Sequence, residues 1–197
     1  MGRTLIAGLL GGIVMFIWTS LAHTALPLGE MGIGEIPDDA AAIAMLHDRL
    51  GDKDGLYMFP GAGVPAGTNV HQDADAMKRV EARIRSEPSG LLVYHPAGRE
   101  TAMTSYIGRE VVLEIFQALI LAWLVAGSVA STLPGRTLTA TAVGVAVAVA
   151  TNGSNWIWYG YPLDFTLASI ITQVVGYAVA GLAIALILGM KGKAATG

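Results

Sequence analysis

The sequence predicts a mainly helical integral membrane protein: four transmembrane helices, with a small α+β domain inserted between the first and the second. Three observations predict it. Hydrophobic residues make up 53% of the 197-residue chain and charged ones 14%, a more apolar balance than water-soluble domains of this size carry. The apolar residues gather into long runs, one near the N-terminus and the others in the second half of the chain. Between them, residues 24–109 hold 12 of the 15 acidic residues and eight of the 12 basic ones, so that stretch faces water.

Leu5–Ala22 is apolar except for Thr19 and Ser20. Its length, roughly 27 Å as a helix, suits a bilayer core of roughly 30 Å. Arg3 before the run and Ser20-Leu21-Ala22 at its end also resemble a signal peptide; we expect an uncleaved anchor, residues 1–23. Gly8 and Gly12 form a small-xxx-small pair that lets another helix approach closely, although glycine is common in membrane helices in any case.

Within the polar stretch, Pro37-Asp38-Asp39 supplies a start signal for a helix over Asp38–Leu50, with acidic residues near the positive end of its dipole. Gly55–Phe59 reads as a strand ended by Pro60-Gly61. Asp73–Arg85 then reads as a second helix and Gly90–Tyr94 as a second strand. Adding 35 to a position carries Asp38 to Asp73, Ala41 to Ala76, Gly55 to Gly90, Leu56 to Leu91, Ala62 to Ala97 and Gly63 to Gly98. The stretch is therefore a candidate duplicated α-β unit whose two strands pair with each other. Its core is small, and it would lean on the membrane helices or on another protein.

Val111–Ser131 is the second apolar run, followed by a tight turn over Thr132–Arg136. Leu138–Ala150 with Thr151–Trp158 makes the third span, and Leu167–Met190 the fourth; residues 191–197 form a tail. Arg3, Arg136, Lys191 and Lys193 fall on one side with no acidic residue beside them. The positive-inside rule makes that side, and both termini, cytoplasmic. The 24–109 domain and an aromatic, amide-rich loop over Thr151–Asp164 then face outward.

The residues exclude several kinds of chemistry. With no cysteine there are no disulfides and no thiolate-bound zinc or iron–sulfur cluster. A net charge of −3 without a polybasic run argues against a nucleic-acid partner. His23, His47, His71 and His95 offer no H-x-x-x-H or H-x-H element, so no metal site is predicted. No paired catalytic groups are visible, and no catalytic residue or cofactor is assigned.

His23, at the exit of the first helix, could meet Trp156 and Trp158 at a shared depth. Trp156, Trp158, Tyr159 and Tyr161 read as an aromatic belt at the lipid–water boundary, or else, with Asn152 and Asn155, as a shallow pocket for an amphipathic ligand. Glu114, one turn below Glu110, is a functional candidate because an ionisable group in a span is costly unless it faces the bundle interior or water. No further carboxylate or histidine lies deeper, which argues against a proton path. Gly127 with Ser131, Gly144 with Ala148 and Gly176 with Ala180 place small residues four apart on the three later spans, a pattern for close packing within the bundle or with other subunits.

The segments G-G-I-V-M-F-I-W at 11–18, G-L-Y-M-F-P at 55–60 and N-W-I-W-Y-G at 155–160 resemble an uncharacterised family of small bacterial four-helix membrane proteins with an N-W-x-W-like segment before the last helix. The resemblance implies a bacterial source, hence the inner membrane and a periplasmic 24–109 domain, and no catalytic residue. The expected function is non-enzymatic: an accessory, assembly or stabilising subunit that meets other membrane subunits, or itself, within the lipid bilayer. The alternative is a binding protein for a lipid, quinone or metal at the periplasmic interface, using His23, Glu114, Asn152, Asn155, Trp156 and Trp158.

Overall fold

The computed structural model describes residues 1–65 and 68–190. In chain order the elements are α1 (Gly2–Thr24), α2 (Ala40–Leu50), β1 (Gly55–Phe59), α3 (Ala74–Ser86), β2 (Gly90–Tyr94), α4 (Met103–Gly127), α5 (Leu133–Ala148), α6 (Ser154–Tyr159) and α7 (Leu163–Gly189). A π-helical turn at Val149–Gly153 joins α5 to α6. The protein is mainly helical. Its four helical stretches Gly2–Thr24, Met103–Gly127, Leu133–Tyr159 and Leu163–Gly189 are long and apolar enough to cross a membrane. Two compact units result: a helical unit of Met1–Gly34 with the chain from Ala102 onward, and a unit of Glu35–Thr101.

Several boundaries differ from expectation. The helical unit keeps residues 25–34, which the charge distribution assigns to the polar domain: Gly29 lies against the His23 ring, and Gly32, at φ +74°, lies against Asp164 and Phe165. α4 starts well before the apolar run, since Ser105–Glu110 is polar but helix-compatible. The turn expected over Thr132–Arg136 is instead the start of α5. Thr132 caps it, its hydroxyl accepting from the Gly135 N–H at 3.2 Å, and Pro134 sits in the first turn where its missing N–H costs nothing. Of the two readings of Thr151–Trp158, part of the third span or part of a loop to Asp164, the loop is corrected: the chain stays helical to Tyr159 and stops at Gly160, which adopts the left-handed conformation at φ +66°. Lys191 and Lys193 lie outside the described residues.

In the helical unit α1 packs against α4 and α7, and α5 packs against α7. The centre holds Met15, Leu121, Val125, Tyr177, Ala180 and Ile184. Small residues set the separations, because without a side chain in the way two helices come into close van der Waals contact. A Cβ on Gly8 would lie 2.8 Å from the Leu119 Cα, and one on Gly12 2.6 Å from the Ile115 Cα. Gly181 abuts Ala140, and Gly144 abuts the Tyr177 side chain. Gly176 faces Trp18 closely, since a Cβ there would lie 3.3 Å from the ring and the ring would have to give. Gly127 differs: a Cβ there would meet nothing within 4 Å, and because α4 ends at this residue, Ser131 is not on the same helix. The expected Gly127–Ser131 packing pair therefore does not form within the chain.

In the Glu35–Thr101 unit the strands match their predicted bounds, and both helices start late. Asp38 has φ +50°, outside helical space, so α2 begins at Ala40. Asp73 caps α3 instead of joining it, accepting from the Asp75 and Ala76 N–H groups at 3.0 and 2.9 Å, a contribution of about 1 kcal/mol. β1 and β2 pair antiparallel, with Gly55 opposite Tyr94, Tyr57 opposite Leu92 and Phe59 opposite Gly90. The central pair, Tyr57 and Leu92, are positions related by the 35-residue offset, so exchanging the two halves leaves the register unchanged. Gly63 and Gly98, also equivalent, both have positive φ, +70° and +90°. The ladder is thus locally two-fold, as any two equal strands paired end to end antiparallel are.

On α3, Arg83 makes a two-pronged ion pair with Glu87, closest at 2.7 Å, and also donates to the Gly61 carbonyl at 3.0 Å. The guanidinium hydrogen bonds hold the Glu87 carboxyl below its ordinary range. A depressed folded-state value means that the pair's contribution is present above the unfolded value and is lost as pH falls through the folded one. Carboxyl-carbon NMR should therefore give Glu87 a midpoint below the usual ~4.3 of glutamate, and Arg83→Gln should return it to that value.

Candidate functional site

The polar residues inside the helical unit form two small groups. Glu114, on α4, is 4% exposed. Helical side chains lean toward the N-terminus of their helix, and this one reaches Thr19 of α1, whose hydroxyl donates to Oε1 at 2.9 Å. Oε2 is buried and has no hydrogen-bond partner. The glycine-mediated approach of α1 to α4 is what brings Thr19 within reach: the Gly12 contact falls on Ile115, the residue after Glu114. One turn along α1, the His23 Nδ1 lies 2.8 Å from the Thr19 carbonyl. His23 itself is exposed. Thr19 thus links His23 on the surface to Glu114 inside, through its carbonyl and its hydroxyl respectively.

The second group lies between the π turn and α7. Asn152 is buried, and its amide donates to the Ala148 carbonyl at 2.9 Å and to Gln173 Oε1 at 3.2 Å. The π turn, a geometry frequent where a helix presents a special residue, aims Asn152 at α7. Nearby on α7 the Tyr177 hydroxyl donates to Gln117 Oε1 at 3.1 Å, tying α7 to α4. Trp18 ties α1 to α7 by donating from Nε1 to the Thr172 carbonyl at 2.8 Å. Each of these bonds satisfies a polar group that lipid could not.

The remaining candidates lie apart from these groups. Asn155 is half-buried, and its carbonyl accepts from the Gly160 N–H at the end of α6. Trp156 and Trp158 are exposed, 48% and 78%, as rings at a lipid–water boundary are. No contact brings His23, Glu114 and the two tryptophans into one pocket among the described residues. Nor does any group of three His, Asp or Glu among them converge on a point where a metal could sit. Of the six candidates, the structure places Glu114 and Asn152 inside the bundle with partners, sets His23 above Glu114, and leaves Asn155, Trp156 and Trp158 near the surface.

Thr19, Trp18 and Tyr177 were not among the candidates. Thr19 carried a signal, a hydroxyl inside an apolar run, but its partner is 95 positions away and no local pattern announces it. Tyr177 carried the same kind of signal, a phenol in the middle of an otherwise apolar span.

No protein-family model, no curated protein and no solved structure matches this chain. The likeness to small bacterial membrane proteins through N-W-I-W-Y-G finds no support from these comparisons.

Proposed function

We propose that this chain is a non-enzymatic accessory or assembly subunit of a bacterial inner-membrane complex, or of an oligomer of itself. In this reading both termini are cytoplasmic, and the polar stretch with its 35–101 unit is periplasmic. One observation carries the reading: the 35–101 unit hides almost none of its apolar side chains. Only Pro60, Ala76 and Tyr94 are buried there among the described residues. Leu56, Met58 and Val93 lie on one face of the two-stranded sheet, since cross-strand partners and alternate residues share a face. Each is about 60% exposed. A two-stranded sheet is marginal unless its apolar face is covered, and an uncovered apolar face rimmed by polar residues is the usual mark of a protein contact. The small residues of α1, α5 and α7 are largely used inside the bundle, which directs attention to this unit as the docking element.

Native mass spectrometry on gently extracted protein tests the proposal. The wild type should travel with other subunits or a second copy, and L56S/M58S/V93S should travel alone while keeping its helical circular dichroism. A wild type that is a lone monomer would overturn the reading. Companions kept by the variant would remove the sheet face as the route of docking.

A further inference from the structure

Glu114 is set into the bundle in a way that the assembly proposal does not use. Its carboxyl is buried, one oxygen accepts from Thr19, and the other faces no protein donor. Oε2 has no hydrogen-bond partner, and the charged group that acts on the carboxyl, Glu110, carries the same sign. A carboxyl in a span persists when its charge is balanced or when it reaches water; this one has neither from the protein. The neutral oxygen on it is the Thr19 hydroxyl, and one turn further along α4 the Tyr177 hydroxyl holds Gln117 in place. A single carboxylate with a neutral oxygen matches one positive charge. Among the described residues no three His, Asp or Glu side chains converge here, whereas a divalent metal takes several oxygen ligands.

We propose that Glu114 is an intramembrane binding site for one monovalent cation, a proton or Na⁺, held at Oε2 and reached from the end of the bundle where His23 is exposed. The site is a terminus and not a pathway, since among the described residues the other carboxylates of the spans, Glu110 and Asp164, sit at the outer helix ends and none lies deeper than Glu114. The titratable groups around it are few. On α4 itself Glu110 lies one turn toward the helix start, and on α7 Tyr177 is the group within electrostatic reach. On α1 His23 lies above Thr19, while Arg3 of α1, Asp164 of α7 and Arg136 of α5 sit at helix ends. The proposal stands independently of the docking role of residues 35–101.

The test uses the full chain in lipid nanodiscs and N,N′-dicyclohexylcarbodiimide, which adds a protonated carboxyl across its C=N bond and leaves an N-acylurea that peptide mass spectrometry locates. An adduct at Glu114, faster than at any other carboxyl and absent from Glu114→Gln, is expected. If the cation is a proton alone, the rate falls about tenfold per pH unit above the midpoint and ignores Na⁺. If Na⁺ competes, the rate at fixed pH falls about tenfold at about ten times its dissociation constant when Na⁺ replaces choline. No adduct at Glu114, or an adduct rate indifferent to both pH and Na⁺, would overturn the proposal. The wild-type map alone gives this answer, so it does not depend on the variant's folding.

Discussion

Replacing Gly12 with leucine should separate α1 from α4 and destabilise the helical unit by about 3 kcal/mol, at the upper end of overpacking costs. The atom in the way is the Ile115 Cα, part of the α4 backbone, so no side-chain rotation can make room. The two helices must part, and the Thr19–Glu114 hydrogen bond parts with them. Gly127→Leu is the matched control, because a side chain there meets open space; its effect on the isolated chain should stay within about 0.5 kcal/mol. Thermal unfolding in detergent, followed by circular dichroism, compares the two. Equal midpoints for Gly12→Leu and wild type would show that α1 is not held by this contact.

Tyr94→Ala should unfold residues 35–101 while the four long helices persist. Tyr94 is the one large side chain buried in that unit among the described residues. It meets the Tyr57 ring edge-on at 6.3 Å and donates from its hydroxyl to the Gly51 carbonyl at 2.8 Å, pinning the end of α2 to the sheet. Truncating a buried aromatic costs about 3–5 kcal/mol, which exceeds what so small a core can lose. Tyr94→Phe keeps the ring and removes one hydrogen bond, a loss of about 1 kcal/mol. Backbone hydrogen exchange gives the readout: the β1 and β2 amides should lose protection in Tyr94→Ala and largely keep it in Tyr94→Phe. Retained protection in Tyr94→Ala would mean that the sheet is held by something other than this ring.

The positions of the candidates follow from two kinds of information. Four apolar stretches, two strands and two polar helices could be read directly, because composition and periodicity over neighbouring residues decide them. The helix ends could not. Asp38 was legible within a start signal and Thr132 only as part of a turn, and whether each joins, caps or precedes its helix depends on a backbone angle or on one hydrogen bond. The run 151–164 looked like a loop because Asn, Gly and Ser favour turns. The π turn keeps it helical by giving Asn152 an acceptor on α7, a partner that no local pattern specifies.

By itself the sequence determined the mainly helical class, the number of helices long and apolar enough to cross a membrane and the strands that pair, all consequences of hydrophobic patterning along the chain. Only the tertiary structure decided which small residues carry contacts: Gly8, Gly12 and Gly144 do and Gly127 does not, although all four read alike in their own helices. It also decided that Glu114 lies beside Thr19, and that His23, Trp156 and Trp158 do not join it. The physical reason is that burial and hydrogen bonding within a bundle depend on which helix faces meet, and that is set by contacts between residues far apart in the chain.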